Sequence, residues 1–285
     1  MFAALQTVIY KASRMWGNAT WIRWGLRYRL YERLRPLNQA FRVPFYGAVY
    51  VGNLNNFIDR SVFFYGAHER EVLEYMGSLI GSESVVLDIG ANVGHHTLFF
   101  ASKAQEVHAF EPNSVFRTQF DVLMSENNVT NVHLHQFGLG DATENATYYA
   151  PTGDNQGVGS FVSGHKDTNA DVGTMQIVQG DEAVDALKLS RIDLIKIDVE
   201  RFEESVLRGL QQTLKEFRPI VVMEYAKRDF SSEESFLSLT SGFVPYVLTT
   251  NKPFLFFFNI PTCKLKPFSP NVEKAELVLL PVTRQ

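Results

Sequence analysis

Val86-Leu87-Asp88-Ile89-Gly90-Ala91-Asn92-Val93-Gly94 is the stretch that decides the fold. It reads as a short apolar strand over residues 85–89 that ends in an acid and bends on glycine. An apolar helix follows from about residue 94 to 103. A strand running through a glycine turn into a helix is the opening of a βαβ unit. Gly90 lets the backbone approach a ligand, and Gly94 lets the helix pack closely on the strand. Open parallel sheets bind ligands at the carboxyl ends of their strands, which is where this turn lies.

Outward from that turn the alternation continues. Further strands are expected at 107–110, 132–137, 192–199 and 219–225, and helices at 114–127, 203–217 and 233–239. This alternation predicts an α/β domain with a parallel sheet covered on both faces. The last strand-like pieces, 243–249, 254–258 and 277–280, have no clear helices between them, which predicts an antiparallel edge. Upstream, 69–79 reads as a helix and 43–66 as short strands and turns, punctuated by Gly47, Gly52 and Asn55-Asn56. Residues 145–180 are rich in Gly, Asn, Thr and Asp and too long for a simple connection. They are expected to form an insertion near the ligand-binding edge, as a lid or recognition element or as a merely decorative hairpin.

Residues 1–42 differ from the rest. They hold eight basic residues and one acid, Glu32, with Trp21, Trp24, Tyr28 and Tyr31 at helical spacing. A helix packed on the main domain, with a solvated arginine face, is one reading; a basic amphipathic helix on an anionic membrane surface is the other. The expected division is therefore an N-terminal helical extension with short strands, 1–62, and a main domain, 63–285.

The 285 residues carry 27 Lys and Arg against 31 Asp and Glu, a net charge of −4. That balance argues against a general polyanion binder. Cys263 is the single cysteine, which excludes an internal disulfide framework or a cysteine-rich zinc site. No apolar run reaches the roughly 18 residues of a membrane span. The N-terminus lacks a clear secretory pattern, so the expectation is a cytoplasmic protein, with peripheral membrane contact through residues 1–42 as the variant of that reading.

Four motifs carry the chemistry. In the first, Asn92 stands where a G-x-G-x-x-G turn has its second glycine, which disfavours a pyrophosphate cofactor. Asp88 also suits a cationic group better than a diphosphate, and S-adenosylmethionine carries an ammonium and a sulfonium. In the second, His108-Ala109-Phe110-Glu111-Pro112-Asn113, Glu111 follows Asp88 by 23 residues. An acid at that spacing can accept hydrogen bonds from ribose hydroxyls. The third is Gly138-Leu139-Gly140-Asp141, where Asp141 could accept a hydrogen bond from an adenine amine or merely occupy a turn. In the fourth, residues 194–203, strand alternation puts Lys196, Asp198 and Glu200 on one face. Three ionisable groups at the end of a buried strand are costly unless a ligand or mutual pairing compensates. Glu224, ending the next strand, adds a further carboxylate.

Together these motifs resemble the FkbM-type methyltransferases, over about residues 63–225. Asp88-Ile89-Gly90-Ala91-Asn92-Val93-Gly94 matches the family's glycine motif, Phe110-Glu111-Pro112-Asn113 its ribose motif, and Leu139-Gly140-Asp141 and Ile195-Lys196-Ile197-Asp198-Val199-Glu200 its later blocks. The family usually has glycine after Asp-Val-Glu; here it is Arg201. A side chain there could fill part of an acceptor pocket, contact an acidic substrate or weaken catalysis. The resemblance implies a Rossmann-like, seven-stranded class I methyltransferase sheet with one antiparallel strand. It also implies S-adenosylmethionine as cofactor, held by Asp88, Gly90, Asn92, Gly94, Glu111, Asn113, Gly140 and Asp141. It implies O-methylation of a small-molecule or glycan acceptor, a sugar or secondary-metabolite hydroxyl.

A neutral hydroxyl is a poor nucleophile, so a general base or a metal should assist. Glu200 and Asp198 are the first candidates, Lys196 could stabilise an alkoxide, and His165 in the insertion is a second candidate base. A divalent metal is compatible with that chemistry, but no ligand pattern supports one. His95 and His96 are expected to pack near the cofactor, and His133 and His135 receive no role. The competing readings are a nucleic-acid methyltransferase, served by the basic N-terminus, a dinucleotide-dependent oxidoreductase, disfavoured by the turn, and a cofactor-binding scaffold closed by Arg201.

Overall fold

The computed structural model describes residues 40–151, 168–250 and 263–282. Strands β1 (Ala40–Phe45) and β2 (Ala48–Asn53) form an antiparallel hairpin. Helices α1 (Phe57–Tyr65) and α2 (Arg70–Ser78) follow. The central alternation is β3 (Val85–Ile89), α3 (His95–Ala101), β4 (Glu106–Phe110), α4 (Ser114–Glu126) and β5 (Val132–His135). A small sheet of β6 (Gly138–Gly140), β7 (Glu144–Pro151) and β8 (Thr168–Gln179) intervenes. Then come α5 (Gly180–Leu187), β9 (Leu194–Ile197), α6 (Glu203–Gly209), α7 (Gln211–Phe217), β10 (Ile220–Ala226), α8 (Glu233–Leu239), β11 (Phe243–Thr250), β12 (Cys263–Pro267) and β13 (Lys274–Pro281).

The main sheet has the order β12-β11-β13-β10-β9-β3-β4-β5. β5, β4, β3, β9 and β10 run parallel; β13 runs antiparallel to both β10 and β11, and β12 antiparallel to β11. The expectation of seven strands with one antiparallel is corrected to eight, of which β13 and β12 run against the rest. The sequence reading did not find β12, whose exposed lysines alternate with half-buried Cys263 and Leu265 and give no buried run.

β3 is buried along its whole length, so its apolar residues divide between two cores. Val86 joins Leu194, Val222 and Val278 on the face covered by the hairpin, α2 and α3. Leu87 and Ile89 join Ile195, Ile197, Val221 and Met223 on the opposite face, under α6, α7 and α8. Period-2 alternation therefore places Asp88 and Lys196 on the first face, at its carboxyl end.

The hairpin and α1 correct the reading of 43–66 as strands and turns alone. Asn56 is an N-cap: its side chain accepts from the N–H groups of Ile58 and Asp59. Gly66, at φ 89°, closes the helix in the left-handed conformation. The helix expected over 1–42 lies outside the described residues except at its end, where residues 40–42 are strand rather than helix. The strand expected at 254–258 also lies outside them. The helix expected at 203–217 is two helices that meet at Leu210. Among the described residues no helix is long and apolar enough to cross a membrane.

Candidate active site

The glycine turn leaves β3 at Gly90, whose φ is 82°. The N–H groups of Gly90 and Ala91 both donate to the Phe110 carbonyl of β4, at 3.0 and 3.1 Å. A Cβ at position 90 would overlap the Asp198 carbonyl. The turn is thus wedged between two strand ends and closed to any other residue. Asn92 (φ 52°) is tolerated in the left-handed region because its Oδ1 accepts from the Val93 N–H at 2.8 Å. Gly94, at φ 86°, faces Phe120 and Met124 of α4 where a Cβ would crowd them.

Glu111 directly follows β4 beside that turn. Its two carboxylate oxygens accept from the N–H groups of Asn92 and Asn113, each at 2.8 Å. Burial pushes its pKa up to about 7, against the pull of those two N–H groups. Asn113 is the N-cap of α4, its Oδ1 accepting from Val115 N–H, and its Nδ2 donates to the Tyr148 hydroxyl at 3.4 Å. A cleft opens here, lined by Asn56, Gly90, Asn92, Glu111, Tyr148 and Glu200 among others. A second hollow adjoins it across Glu111, bounded by Pro112, Asn113, Leu134 and Gln136.

Asp88 lies beneath the floor of the cleft and is fully buried. Thr97 Oγ1 donates to its Oδ2 at 2.6 Å, and Lys196 Nζ sits 3.5 Å from its Oδ1. Lys196 also donates to the Gly90 carbonyl at 3.0 Å and lies 3.4 Å from Asp198. Burial opposes its charge, but Asp198, Asp88 and Glu69 outweigh that and hold its pKa above the ordinary lysine value. Lys196 is therefore a fixed cation that ties the glycine turn to the next strand. It can stabilise negative charge but cannot accept a proton.

The turn after β9 carries the other expected groups. Asp198 donates its N–H to the Ile89 carbonyl at 3.0 Å, which fixes it against the glycine turn. Glu200 (φ 51°) and Arg201 (φ 78°) are successive left-handed residues. Buried Glu203 holds this bend by accepting from Val199 N–H and Arg201 N–H, both at 3.3 Å. Burial, then Asp198, Glu224 and Glu203, push the Glu200 carboxyl up to about 8. Asp198 and Glu200 both line the cleft, across from Glu111.

Arg201 does not fill that cleft. Its Nε donates to Asp229 at 2.9 Å, and the Asp229 side chain, 7% exposed, lies in the short turn after β10. The left-handed backbone explains why glycine suits this position. Arg201→Gly is expected to relieve about 1–2 kcal/mol of backbone strain but to leave the Asp229 carboxylate with only the more exposed Arg228 beside it, a loss of up to about 3–5 kcal/mol, the cost of removing one partner of a buried pair. The net expectation is a loss of about 1–4 kcal/mol, read by urea unfolding. A variant as stable as the parent would show the Asp229 pair to be idle.

The structure thus brings together Gly90, Asn92, Glu111, Asn113, Lys196, Asp198 and Glu200. It places Gly140 and Asp141 elsewhere: Asp141 is exposed, with Ser205 Oγ donating to its Oδ1 at 2.7 Å, and Gly140 is buried against Ile177 and Phe202. His165 lies outside the described residues. His95 and His96 are buried along the cleft wall, and burial holds both pKa values well below the ordinary range. His68, whose N–H donates to His95 Nε2 at 3.2 Å, was missed, as was Tyr148. Tyr148 had a signal, since it lies in the insertion expected to approach the ligand. Among the described residues no group of three or more His, Cys, Asp or Glu is arranged to hold a metal ion.

A family model described as the methyltransferase FkbM domain matches residues 88–243. The AMB antimetabolite synthetase AmbE of Pseudomonas aeruginosa is 30% identical, over 56% of this chain and 9% of its own length. Methyltransferase 1 of Beauveria bassiana is 30% identical, over 56% of this chain and 72% of its own. The hexuronic acid methyltransferase AglP of Haloferax volcanii is 27% identical, over 56% and 64%. Among solved structures, methyltransferase FkbM from Methylobacillus flagellatus is 13% identical with a TM-score of 0.41, over 77% of this chain and 52% of that one.

Proposed function

Because the chain belongs to the FkbM methyltransferase family, we propose that it transfers a methyl group from S-adenosylmethionine to a hydroxyl of a sugar, glycan or secondary metabolite. One observation carries the cofactor assignment. Glu111 is held by two backbone N–H groups, one from the glycine turn and one from the start of α4, beside a Gly90 that admits no side chain. A carboxylate so fixed keeps lone pairs for the two hydroxyls of a ribose. The hollow bounded by Pro112, Asn113, Leu134 and Gln136 is the place for the adenine, rather than Asp141.

S-adenosylmethionine supplies an electrophilic methyl group when bound. The chain's own part is to bind, orient and move a proton. Asp198 and Glu200 supply the carboxylates that could take the proton of an acceptor hydroxyl, and Lys196 the charge that steadies the oxygen left behind. Tyr148 and His68 shape the acceptor side of the cleft. Carboxylates so placed argue against a polyanionic nucleic acid as acceptor.

The test is a thermal-shift titration with S-adenosylhomocysteine, using NAD as control. A saturable rise with the first alone is expected. No rise in folded protein would remove the cofactor assignment. Glu111→Ala is expected to weaken S-adenosylhomocysteine binding by about 1–3 kcal/mol, through lost charge-assisted hydrogen bonds. Unchanged affinity by calorimetry would sink the ribose role.

A further inference from the structure

Part of the cleft wall comes from outside the strand ends. Asn56, Phe57 and Ile58 are the cap and first turn of α1, and His68 stands in the loop that joins α1 to α2. This wall is fixed in advance. Asp59, fully buried on α1, accepts from the Tyr50 hydroxyl at 2.8 Å, the Asn53 N–H at 2.7 Å and Gln119 Nε2 at 2.6 Å. Those donors lie on β2 and α4, so the first turn of α1 is clamped between the hairpin and the helix that follows Glu111. Arg60 Nη1 closes the same turn by donating to the Leu54 and Asn55 carbonyls, both at 3.2 Å.

The loop that carries His68 is bounded by two left-handed residues, Gly66 at φ 89° and Glu69 at φ 45°. Glu69 caps α2 without a side-chain hydrogen bond, so nothing local offsets its conformation. Strain of that kind persists where the surroundings over-determine it. Here the His68 N–H is tied to His95 Nε2, at the start of the helix after the glycine turn.

The wall presents one apolar platform with a polar rim. Phe57 is 41% exposed, and its ring stands edge-on to the His68 imidazole with 5.4 Å between centroids. Ile58 continues the apolar surface. Neither ring nitrogen of His68 has a partner among the described residues. Asn56 spends its Oδ1 on the cap and keeps Nδ2 without one. Burial holds the His68 pKa down at about 4, against the pull of Asp198. The imidazole is therefore neutral at neutral pH, with one N–H donor and one acceptor nitrogen. Asp198 and Glu200 line the same cleft. A flat aromatic acceptor wants apolar surface on both faces and would leave these polar groups unpaired, which is costly. A pyranose has a C–H face and a rim of hydroxyls, and it matches a single platform ringed by donors and acceptors.

We propose that Phe57 and His68 form the acceptor subsite: the C–H face of a neutral pyranose rests on Phe57, and His68 hydrogen-bonds a hydroxyl beside the one that is methylated. The proposal rests on the methyltransferase reading above and adds the residues that choose the acceptor and the ring they choose.

The experiment gives the whole chain labelled S-adenosylmethionine and the methyl pyranosides of glucose, mannose, galactose and rhamnose, with catechol as a flat acceptor and glycerol as an acyclic one. At least one pyranoside is expected to exceed both controls in kcat/KM by about ten-fold or more. Phe57→Ala is expected to raise the acceptor KM by about ten-fold or more with little change in kcat, and Phe57→Tyr to restore it. His68→Leu is expected to raise KM by a similar factor, and His68→Gln, which keeps a donor and an acceptor, to recover most of it. S-adenosylhomocysteine affinity should stay within about two-fold of the parent in all four variants. Phe57 is exposed, so its replacement leaves the fold intact and tests the proposal even where a His68 variant unfolds. Catechol preferred to every pyranoside, an unchanged KM in Phe57→Ala, or no transfer to any acceptor by protein that S-adenosylhomocysteine protects would each overturn the proposal. A loss of S-adenosylhomocysteine affinity that matches the rise in KM would overturn it as well, by showing that α1 covers the cofactor. Failure of S-adenosylhomocysteine to protect the parent chain would instead strike the methyltransferase reading.

Discussion

Gly90→Ala is expected to abolish S-adenosylhomocysteine binding and to lower the unfolding free energy by about 2–5 kcal/mol. Two independent costs meet at this residue. At φ 82° an alanine sits in the left-handed region, and its Cβ would overlap the carbonyl oxygen of Asp198. That oxygen belongs to backbone tied to Ile89, so it cannot rotate away as a side chain could. Relief requires β9 to part from β3 at the point where Lys196 donates to the Gly90 carbonyl. The damage therefore reaches both the cofactor turn and the turn that carries Glu200. Gly81→Ala is the control, since a Cβ there meets nothing within 4 Å. Urea unfolding and calorimetric titration read the two effects. Parent-like affinity in Gly90→Ala would show that this turn is not the cofactor cradle.

What the sequence made legible follows the physics of each signal. The β3 turn could be read because strand period, glycine and acid coincide within nine residues. Glu111 could be read because its distance from Asp88 is set by one helix and one strand. Asn56 was harder, since the same residue serves turns and helix caps, and only the N–H groups of Ile58 and Asp59 decide between them. The partner of Asp141 was illegible because it is Ser205, 64 residues away in the chain. The fate of Arg201 was illegible for the same reason: nothing local announces a partner 28 residues on at Asp229. The departure from glycine did flag the position, and its φ of 78° shows why. Glu224 was noticed as a carboxylate, but its pairing with Glu276 depends on β13 lying directly beside β10, a neighbour that the antiparallel edge read from the apolar runs does not specify.

Glu200→Gln is expected to leave S-adenosylhomocysteine affinity within two-fold and to cut turnover by about 10²–10⁴, the usual worth of a positioned general base. The amide keeps the shape and a hydrogen-bonding oxygen but cannot take a proton. Burial and the neighbouring carboxylates hold the parent carboxyl at about 8, so at neutral pH most of it is protonated and idle as a base. The parent rate, as kcat/KM, should then climb with pH to a plateau above about 8, and the variant should lack that limb. Near-normal turnover, or a limb that survives the substitution, would remove Glu200 as the base and leave Asp198. Stability gives a second reading that needs no acceptor. Because the folded pKa lies above the unfolded one, the contribution of Glu200 is full below the ordinary carboxyl range and is lost as pH rises through about 8. Glutamine stays neutral throughout. The variant should therefore match the parent in mild acid and exceed it in denaturant midpoint above pH 8, and a parent that gains stability across that window would refute the burial of this carboxyl among like charges.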